Sequence, residues 1–425
     1  ANVITNVVME RLASPSGPTK GRILRTSDGA EPKKVVFVQC AGSRDENHLP
    51  YCSAVCCAAS IKQARYVRET LPEVGNLREG TAIVQATKKV MENDCLRLRF
   101  DRQGRLRSVF DKRARREVLA PGAIANQLLL FEDKPVNWDA WDIDIFYNDK
   151  LIEADGKLLS IEVEETGPVR AVLRVRRAIS KSVISQDIIL VAGSPRIDFL
   201  TTIEWGDERE VLLKAAFPVA VRADKARYEI QFGSVERPTH WNRPSDFAMF
   251  EVCGHKWADL SEGGFGVSLL NDCKYGYDIK DGEMRLTLLR APKSPDPTAD
   301  VNKEHFFTYS LFPHEGDFRS GTVRMGYELN VPLLVHTPAR GRGSGGMTGS
   351  FLSVDSPHLV VETVKKAEDG DGIVVRLYEA HKTRGKAECR FSFTPVRVWE
   401  TDLSLIHISE PTRPLYISYA VFCLK

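Results

Sequence analysis

Two stretches of the sequence concentrate residues that could do chemistry, and the first is a cluster of cysteines. Four of them fall within eighteen residues, at Cys40, Cys52, Cys56 and Cys57. Soft sulfur ligands packed this closely suit iron or zinc. The spacing therefore predicts a metal centre such as a [4Fe–4S] cluster. The alternative is four buried free cysteines.

The second stretch, WDAWDIDIFY, sets aromatic rings beside carboxylates within ten residues: Trp138, Asp139, Trp141, Asp142, Asp144 and Tyr147. A sugar site requires flat apolar faces for ring C–H groups and acceptors for hydroxyls. Two acids at a suitable separation could also perform acid–base catalysis on a glycosidic bond. The alternative is a packed strand–loop corner whose carboxylates cap turns. A second candidate for lining the same pocket lies in LNDCKYGYD, at Asp272, Lys274 and Tyr275.

The clustered cysteines lie between a predicted strand and a predicted helix. The run VVFVQC (35–40) is short, apolar and β-branched, which is typical of a buried strand. In ASIKQARYVRETL (59–71), Ile61, Ala64 and Val67 recur at helical spacing. The N-terminus of such a helix is an electropositive setting for thiolates. Residues 1–78 are therefore predicted to form a small α/β, cysteine-containing fragment.

The elements that would position the aromatic–acidic segment follow a period of two. In LRLRFDRQGRLRSVF, Leu96, Leu98 and Phe100 alternate with charged residues before a glycine-containing turn, which predicts a β-hairpin. Further strands are predicted over 169–177 and 196–205, and a hairpin over 359–380 around DGDG. The fold class is therefore predicted to be mainly β, with a large antiparallel β-sandwich over residues 79–402.

The composition of the sequence limits the kinds of partner that the protein is expected to bind. The 425 residues are 43% apolar and 27% charged, as in ordinary globular proteins. A net charge of +2 gives no general attraction to nucleic acid or acidic membranes. No apolar run approaches the roughly 18 residues of a membrane helix, and the opening residues lack the apolar core of a signal peptide. The predicted location is cytoplasmic, with no nucleic-acid or membrane partner.

The first segment resembles heterodisulfide reductase, in the flavin-domain region of its iron–sulfur flavoprotein subunit. The matching text is ITNVVMERL, SGPTKGRILRTSDGAEPKKVVFVQCAGSRDE and PYCSAVCCAASIKQA. The resemblance implies that the four clustered cysteines ligate a [4Fe–4S] cluster beside a flavin. The family's dinucleotide-binding glycine motif and ferredoxin cysteines are not in this sequence, so the FAD site would be incomplete. An iron–sulfur flavoprotein fragment is one hypothesis for function.

Residues 80–402 resemble the C-terminal β-sandwich region of glycoside hydrolase family 38, the α-mannosidases. The matching text includes MENDCLRLRFDRQGRLRSVFDKRARREVL, LFEDKPVNWDAWDIDIFY and FEVCGHKWADLSEGGFGVSLLNDCKYGYD. The resemblance implies that the aromatic–acidic segment faces an α-mannoside. It also implies a catalytic zinc, held in the family by a barrel that contributes a His-x-Asp pair. None of the nine histidines in this sequence has Asp two residues later.

The main hypothesis from this resemblance is the carbohydrate-facing portion of an α-mannosidase, with this chain itself inactive because the zinc ligands are absent. A non-catalytic carbohydrate-binding module is a further alternative. The mannosidic linkage and the oligomeric state of the parent enzyme stay open, a homo-oligomer being one alternative.

Residues 403–425 form a third segment with the sequence LSLIHISEPTRPLYISYAVFCLK. One interpretation is a further pair of apolar strands. The text also resembles a translated sequencing adapter, which predicts a chimeric sequence in three parts: 1–78, 79–402 and 403–425.

Overall fold

The computed structural model describes residues 6–14, 18–20, 22–32, 84–206, 209–293, 303–334, 349–367, 370, 372–401, 407–409 and 419–424. They fall into two compact units, the smaller with residues 6–32 and 332–334 and the larger with residues 84–331 and 349–424. The predicted strand over 35–40, the predicted helix over 59–71 and the four clustered cysteines lie outside the described residues. Among those described, no helix is long and apolar enough to cross a membrane.

In the smaller unit, helix α1 runs over Asn6–Ala13. Its buried side chains include Met9 and Leu12, which are three residues apart and so share one face. The hydroxyl of Thr19 donates to the carbonyl of Leu12 at 2.9 Å. This bond satisfies one of the carbonyls that a helix end leaves without an internal partner.

The larger unit is dominated by antiparallel sheets, of which one has nine strands. In spatial order these are β14 (Gly233–Pro238), β13 (Lys225–Ile230), β16 (Trp257–Ser261), β17 (Phe265–Asn271), β20 (Glu304–Glu315), β11 (Ile197–Glu204), β10 (Ser182–Val191), β9 (Arg170–Ile179) and β8 (Lys157–Glu165).

A six-stranded sheet and a five-stranded sheet complete the main body. The six-stranded sheet has the order β15 (Val252–Cys253), β18 (Gly276–Lys280), β19 (Glu283–Ala291), β12 (Val211–Pro218), β6 (Gln127–Glu132) and β7 (Leu151–Ala154). The five-stranded sheet has the order β1 (Gln85–Ala86), β2 (Val90–Glu92), β3 (Leu96–Phe100), β4 (Leu106–Asp111) and β5 (Arg116–Glu117).

The remaining strands lie towards the C-terminus. A pair is formed by β21 (Leu352–Val354) and β24 (Cys389–Phe391), and a second five-stranded sheet by β22 (Leu359–Lys366), β23 (Ile373–Glu379), β27 (Tyr419–Leu424), β25 (Val398–Thr401) and β26 (His407–Ser409). Strands β26 and β27 belong to residues 403–425, so the backbone there pairs with β25 and β23. The prediction that residues 403–425 derive from a sequencing adapter stays a prediction.

Short helices connect these sheets. They are α2 (Pro244–Phe247), α3 (Thr322–Asn330) and two 3-10 helices at Ile145–Asp149 and Phe318–Ser320. Helix α3 contributes Val323 to an apolar cluster that also contains Trp257, Leu270 and Tyr378. Thus α3 joins the nine-stranded sheet to β23.

One apolar core is shared by the nine-, six- and first five-stranded sheets. Every second residue of β10 is buried, since successive side chains of a strand point to opposite faces. Phe199 of β11 and Phe217 of β12 meet across the core with ring centroids 5.7 Å apart. The predicted hairpins pair as β3 with β4 and β22 with β23, and the predicted strands over 169–177 and 196–205 are β9 and β11. The mainly β, antiparallel fold class is confirmed.

Candidate functional site

The aromatic–acidic segment folds over the six-stranded sheet on the face away from the shared core. There, Leu129, Phe131 and Leu212 form a small apolar cluster with Tyr147. The rings of Phe131 and Tyr147 pack edge to face with centroids 5.4 Å apart. The 3-10 helix at Ile145–Asp149 is thereby fixed to the sheet.

A β-bulge in β19 decides which charged side chains share this face. Lys214 of β12 pairs with Thr287, whereas Leu213 pairs with Leu289, so Leu288 is an extra residue in β19. Arg285 pairs with Ala216 and Arg290 with Leu212, both on the face that the segment covers. Residues five apart in a regular strand would point to opposite faces. The bulge therefore brings both arginines to one side.

Lys214 is the centre of a buried ion network. Its side chain is 0% exposed, and its Nζ lies 2.5 Å from a carboxylate oxygen of Glu251 and 2.5 Å from one of Asp278. Arg285 Nε lies 2.5 Å from the other oxygen of Asp278. The hydroxyl of Thr287 donates to Glu251 at 2.8 Å. Lys214 and Arg285 thus balance the carboxylates of Glu251 and Asp278, the condition under which buried charges are tolerated. The partly exposed carboxylate of Glu283 also lies 3.6 Å from Arg285.

The charge state of Lys214 follows from this environment. Burial alone would lower the pKa of Lys214, but the carboxylates of Asp278 and Glu251 raise it above its ordinary value. Lys214 is therefore a cation at neutral pH.

Tyr147, predicted to face a sugar, lies in the interior at 2% exposure. Its hydroxyl donates to Glu251 at 3.2 Å, and the ammonium of Lys214 lies 5.0 Å from its ring centroid. Burial raises the pKa of Tyr147, so the phenol stays neutral and donates. Arg285 Nη2 donates to Oδ1 of Asn148 at 2.8 Å. The ion network therefore anchors the C-terminal end of the segment.

The two tryptophans of the segment lie at the surface. Trp138 is 72% exposed and Trp141 is 71% exposed, and their rings meet edge to face with centroids 6.5 Å apart. The N–H groups of Trp141 and Asp142 both donate to the carbonyl of Trp138 at 2.8 Å. The backbone of Trp138 has φ +58°, in the left-handed region. A closed turn therefore presents two aromatic rings to solvent.

The acids of the segment hold its loop together. Asp144 Oδ2 accepts from the N–H of Val136 at 2.7 Å, and Asp142 Oδ1 accepts from the N–H of Ile143 at 2.9 Å. Asp139 accepts from the N–H of Lys293. Carboxylates that close turns are what the packed-corner interpretation expects, whereas the exposed rings agree with the sugar-facing interpretation. The segment has both properties.

Arg290 lies beside the other end of the segment. Its Nε donates to Asp133 at 2.5 Å, and its Nη2 donates to the backbone carbonyl of Asp142. Asp133 is 1% exposed, and burial raises the pKa of its carboxyl while the Arg290 guanidinium opposes that shift.

Sequence reasoning missed the residues that hold the segment: Asp133, Lys214, Glu251, Asp278, Arg285 and Arg290. Two local signals could have indicated some of them. Lys214 interrupts VLLKAAF, which is otherwise an apolar run typical of a buried strand. The adjacent Leu288 and Leu289 in LTLLRA break the alternation of β19, as a bulge does.

The second predicted group lies where the chain passes from the nine-stranded to the six-stranded sheet. Asp272 Oδ2 accepts from the N–H of Thr308 at 2.9 Å, and the ammonium of Lys274 lies 4.3 Å from the ring centroid of Phe307. The exposed ring of Tyr275 meets His255 edge to face at 5.6 Å. These contacts fix a corner of the sandwich. The sugar-facing roles of both predicted groups stay predictions.

Metal-ligating side chains do not gather in the part of the chain that the structure describes. There, no group of three or more His, Cys, Asp or Glu residues is placed to hold a metal ion. The buried pair of His314 Nε2 and Asp259 Oδ2 is 2.8 Å apart, and Asp259 also accepts from Ser261 at 2.6 Å and Ser268 at 2.9 Å. This carboxylate is already committed to protein donors.

Comparison with known proteins matches most of the larger unit to one family. The family model described as "Glycosyl hydrolases family 38 C-terminal domain" matches residues 91–298, and "Glycosyl hydrolases family 38 C-terminal beta sandwich domain" matches residues 358–412. Alpha-mannosidase 2C1 of Homo sapiens is 43% identical over 306 residues, which are 70% of this chain and 29% of that protein.

A short segment matches a different family. An iron-sulfur subunit of the CoB–CoM heterodisulfide reductase of Methanopyrus kandleri is 52% identical over 73 residues, which are 17% of this chain and 11% of that protein. The chain therefore spans less than a third of the length of either curated relative. Both resemblances noted in the sequence are confirmed.

Among solved structures, an alpha-mannosidase from Enterococcus faecalis V583 superposes with a TM-score of 0.67 at 17% identity, covering 82% of this chain and 43% of that one. At this identity the likeness shows the fold alone. It is the β-rich fold described above.

Proposed function

Residues 91–298 and 358–412 of this chain are C-terminal domains of glycosyl hydrolase family 38, and on that premise we propose that the larger unit is the carbohydrate-facing sandwich of an α-mannosidase. The human relative is an α-mannosidase, so the proposed ligand is an α-mannoside.

The exposed pair of Trp138 and Trp141 is the observation that carries this proposal. Burying such large rings is the usual outcome in a folded protein, and a contiguous exposed pair is typical of a binding surface. Their faces are suited to the C–H groups of a pyranose ring, and the nearby carboxylates of Asp139 and Asp142 are suited to its hydroxyls. The turn that joins them keeps the two rings adjacent.

We further propose that this polypeptide does not hydrolyse α-mannosides by itself. Mannosidases of family 38 are zinc enzymes, and the described residues do not fit that metal, because no three candidate ligands converge and Asp259 is committed to its protein donors. The described residues would bind and orient the sugar, and they would not supply the reaction.

The experiment is an isothermal calorimetric titration of the full chain with methyl α-mannoside. We expect heat of binding from the wild type, and we expect Trp141→Ala to abolish it. The matched control is Trp241→Ala. Trp241 is a half-buried tryptophan elsewhere in the larger unit, and the ammonium of Lys280 lies 3.4 Å from its ring centroid. Loss of binding in both variants, or no binding by the wild type, would contradict the carbohydrate-facing role.

Hydrolysis is tested separately with 4-nitrophenyl α-mannoside and added zinc. We expect no release of nitrophenol. Turnover by the purified chain would contradict the proposed inactivity without affecting the binding result.

A second candidate function is supported by the match over 73 residues to the iron–sulfur subunit. We propose that Cys40, Cys52, Cys56 and Cys57 bind a [4Fe–4S] cluster. Anaerobic reconstitution with iron and sulfide should then give the visible absorption of a cluster, and Cys56→Ala should lose it. The control Cys253→Ala, which removes an exposed free cysteine, should keep it. An absorption that survives Cys56→Ala would contradict this assignment.

A further inference from the structure

Arg290 connects two parts of the larger unit that are not adjacent in sequence. One edge of its guanidinium meets the buried carboxylate of Asp133, and another meets the backbone carbonyl of Asp142. We propose that Arg290 is a positioning residue that fixes the Trp138–Asp142 turn in the conformation that receives a sugar. The reference to a sugar rests on the proposed function. The fixing of the turn does not.

The turn needs such support because of its backbone. Trp138 has φ +58°, which bulky residues rarely adopt and which persists only where the surroundings determine it. Within the turn, the carbonyl of Trp138 receives the N–H groups of Trp141 and Asp142. From outside, Arg290 meets Asp142 and the N–H of Lys293 meets Asp139. Both external contacts come from β19 and the residues that follow it.

Arginine is suited to this position in a way that lysine is not. The planar guanidinium offers donors in fixed directions, so one side chain can serve a carboxylate and a carbonyl at once. Asp133 keeps Arg290 in place, because a buried carboxylate requires a counter-charge.

The second arginine of β19 repeats the arrangement at the other end of the segment. Arg285 pairs with the carboxylate of Asp278 and donates to the side chain of Asn148. Each arginine therefore pairs with an acid and holds one end of the segment, Arg285 also lying 3.6 Å from the carboxylate of Glu283. The bulge at Leu288 makes this possible, because it sets both arginines on the same face.

The test distinguishes an effect on the Trp138–Asp142 turn from an effect on the stability of the whole larger unit. Arg290→Met leaves Asp133 buried without a counter-charge, so loss of stability alone would not be informative. In the double variant Asp133→Asn/Arg290→Met the unpaired charge is gone, and we expect its thermal midpoint to return close to that of the wild type. We nevertheless expect the amides of Trp141 and Asp142 to exchange hydrogen at least tenfold faster than in the wild type.

Affinity for methyl α-mannoside is the second readout. We expect the double variant to bind at least tenfold more weakly than the wild type. Arg290→Lys keeps the charge and serves as the comparison if the double variant does not fold. It should also show faster amide exchange and weaker binding than the wild type. The matched control is Arg174→Met, which removes an arginine paired with Asp187 on the nine-stranded sheet and should change neither readout.

The outcomes are distinct. Wild-type exchange rates in the double variant and in Arg290→Lys would overturn the inference. Faster exchange with unchanged affinity would also overturn it, because the turn would then not be positioned for the sugar. If the wild type does not bind methyl α-mannoside, the proposed function fails, and the exchange rates still decide whether Arg290 fixes the turn.

Discussion

Replacing Lys214 by Met should destabilise the larger unit strongly. Methionine has a similar length and fills the same space, so the change removes a charge with little loss of packing. In the wild type, Lys214 and Arg285 balance Glu251 and Asp278. In the variant, the buried carboxylate of Asp278 and the nearly buried carboxylate of Glu251 share one cation, Arg285, which also lies near Glu283.

The expected loss of free energy of unfolding depends on which partners Asp278 and Glu251 keep. Asp278 keeps Arg285, whereas Glu251 keeps the neutral donors Thr287 and Tyr147. Breaking a buried ion pair from one side costs about 3–5 kcal/mol. Because one of the two carboxylates stays paired, we expect a loss near the lower end, about 3 kcal/mol in the free energy of unfolding.

Equilibrium unfolding in urea measures this loss, with the larger unit followed by circular dichroism. The double variant Lys214→Met/Glu251→Gln removes both members of one pair and leaves Arg285 with Asp278. It should regain most of the lost free energy, since a balanced replacement of a buried pair is often close to neutral. The matched control is Lys134→Met, an exposed lysine that pairs with Glu132 at 2.7 Å. It should leave the free energy of unfolding almost unchanged, because an exposed ion pair is screened by solvent.

A change below about 1 kcal/mol in Lys214→Met would refute the reasoning, because it would mean that the carboxylates reach water or another cation. A double variant no more stable than the single one would refute it in a different way. The loss would then come from the shape of methionine and not from an unpaired charge.

Two further perturbations test other parts of the larger unit. A Cβ at Gly266 would clash with the ring of His314, so Gly266→Ala should cost about 1–3 kcal/mol in urea unfolding, whereas Gly264→Ala, with open space around it, should be nearly neutral. The N–H of Arg222 donates to Glu262 and holds the pKa of that carboxyl below its usual 4.5. Its contribution to stability is therefore present above pH 4.5 and lost as the pH falls through the lower folded-state pKa. In urea unfolding, the free energy of unfolding should fall less between pH 6 and pH 3 in Glu262→Gln than in the wild type, by about 1 kcal/mol or less. An equal fall in both proteins would contradict this role of Glu262.

Local pattern was sufficient to predict six of the strands, namely β3, β4, β9, β11, β22 and β23. The hairpin of β3 and β4 follows from strict alternation around a glycine turn, and the hairpin of β22 and β23 from apolar arms around DGDG. Both depend on contacts between neighbours in sequence, which a periodicity can reveal.

The support of the aromatic–acidic segment could not be predicted in the same way. Asp142 and Arg290 are 148 residues apart, and Tyr147 and Glu251 are 104 residues apart. Such pairs depend on the order of strands in the six-stranded sheet, which no local period specifies. The segment itself was found because its composition is unusual, and its partners were missed because each is a single charged residue in an ordinary strand. The cytoplasmic location and the absence of nucleic-acid and membrane partners stay predictions.

The bulge at Leu288 has a consequence for which changes of length the chain can accept. Removing one residue between Arg285 and Arg290 would restore a regular strand and turn one of the two arginines into the core, where it would have no carboxylate. Substituting Leu288 by another apolar residue would preserve the spacing. Single-residue deletions across this interval should therefore be far more damaging than substitutions at the same positions, even though the interval itself contacts no proposed ligand.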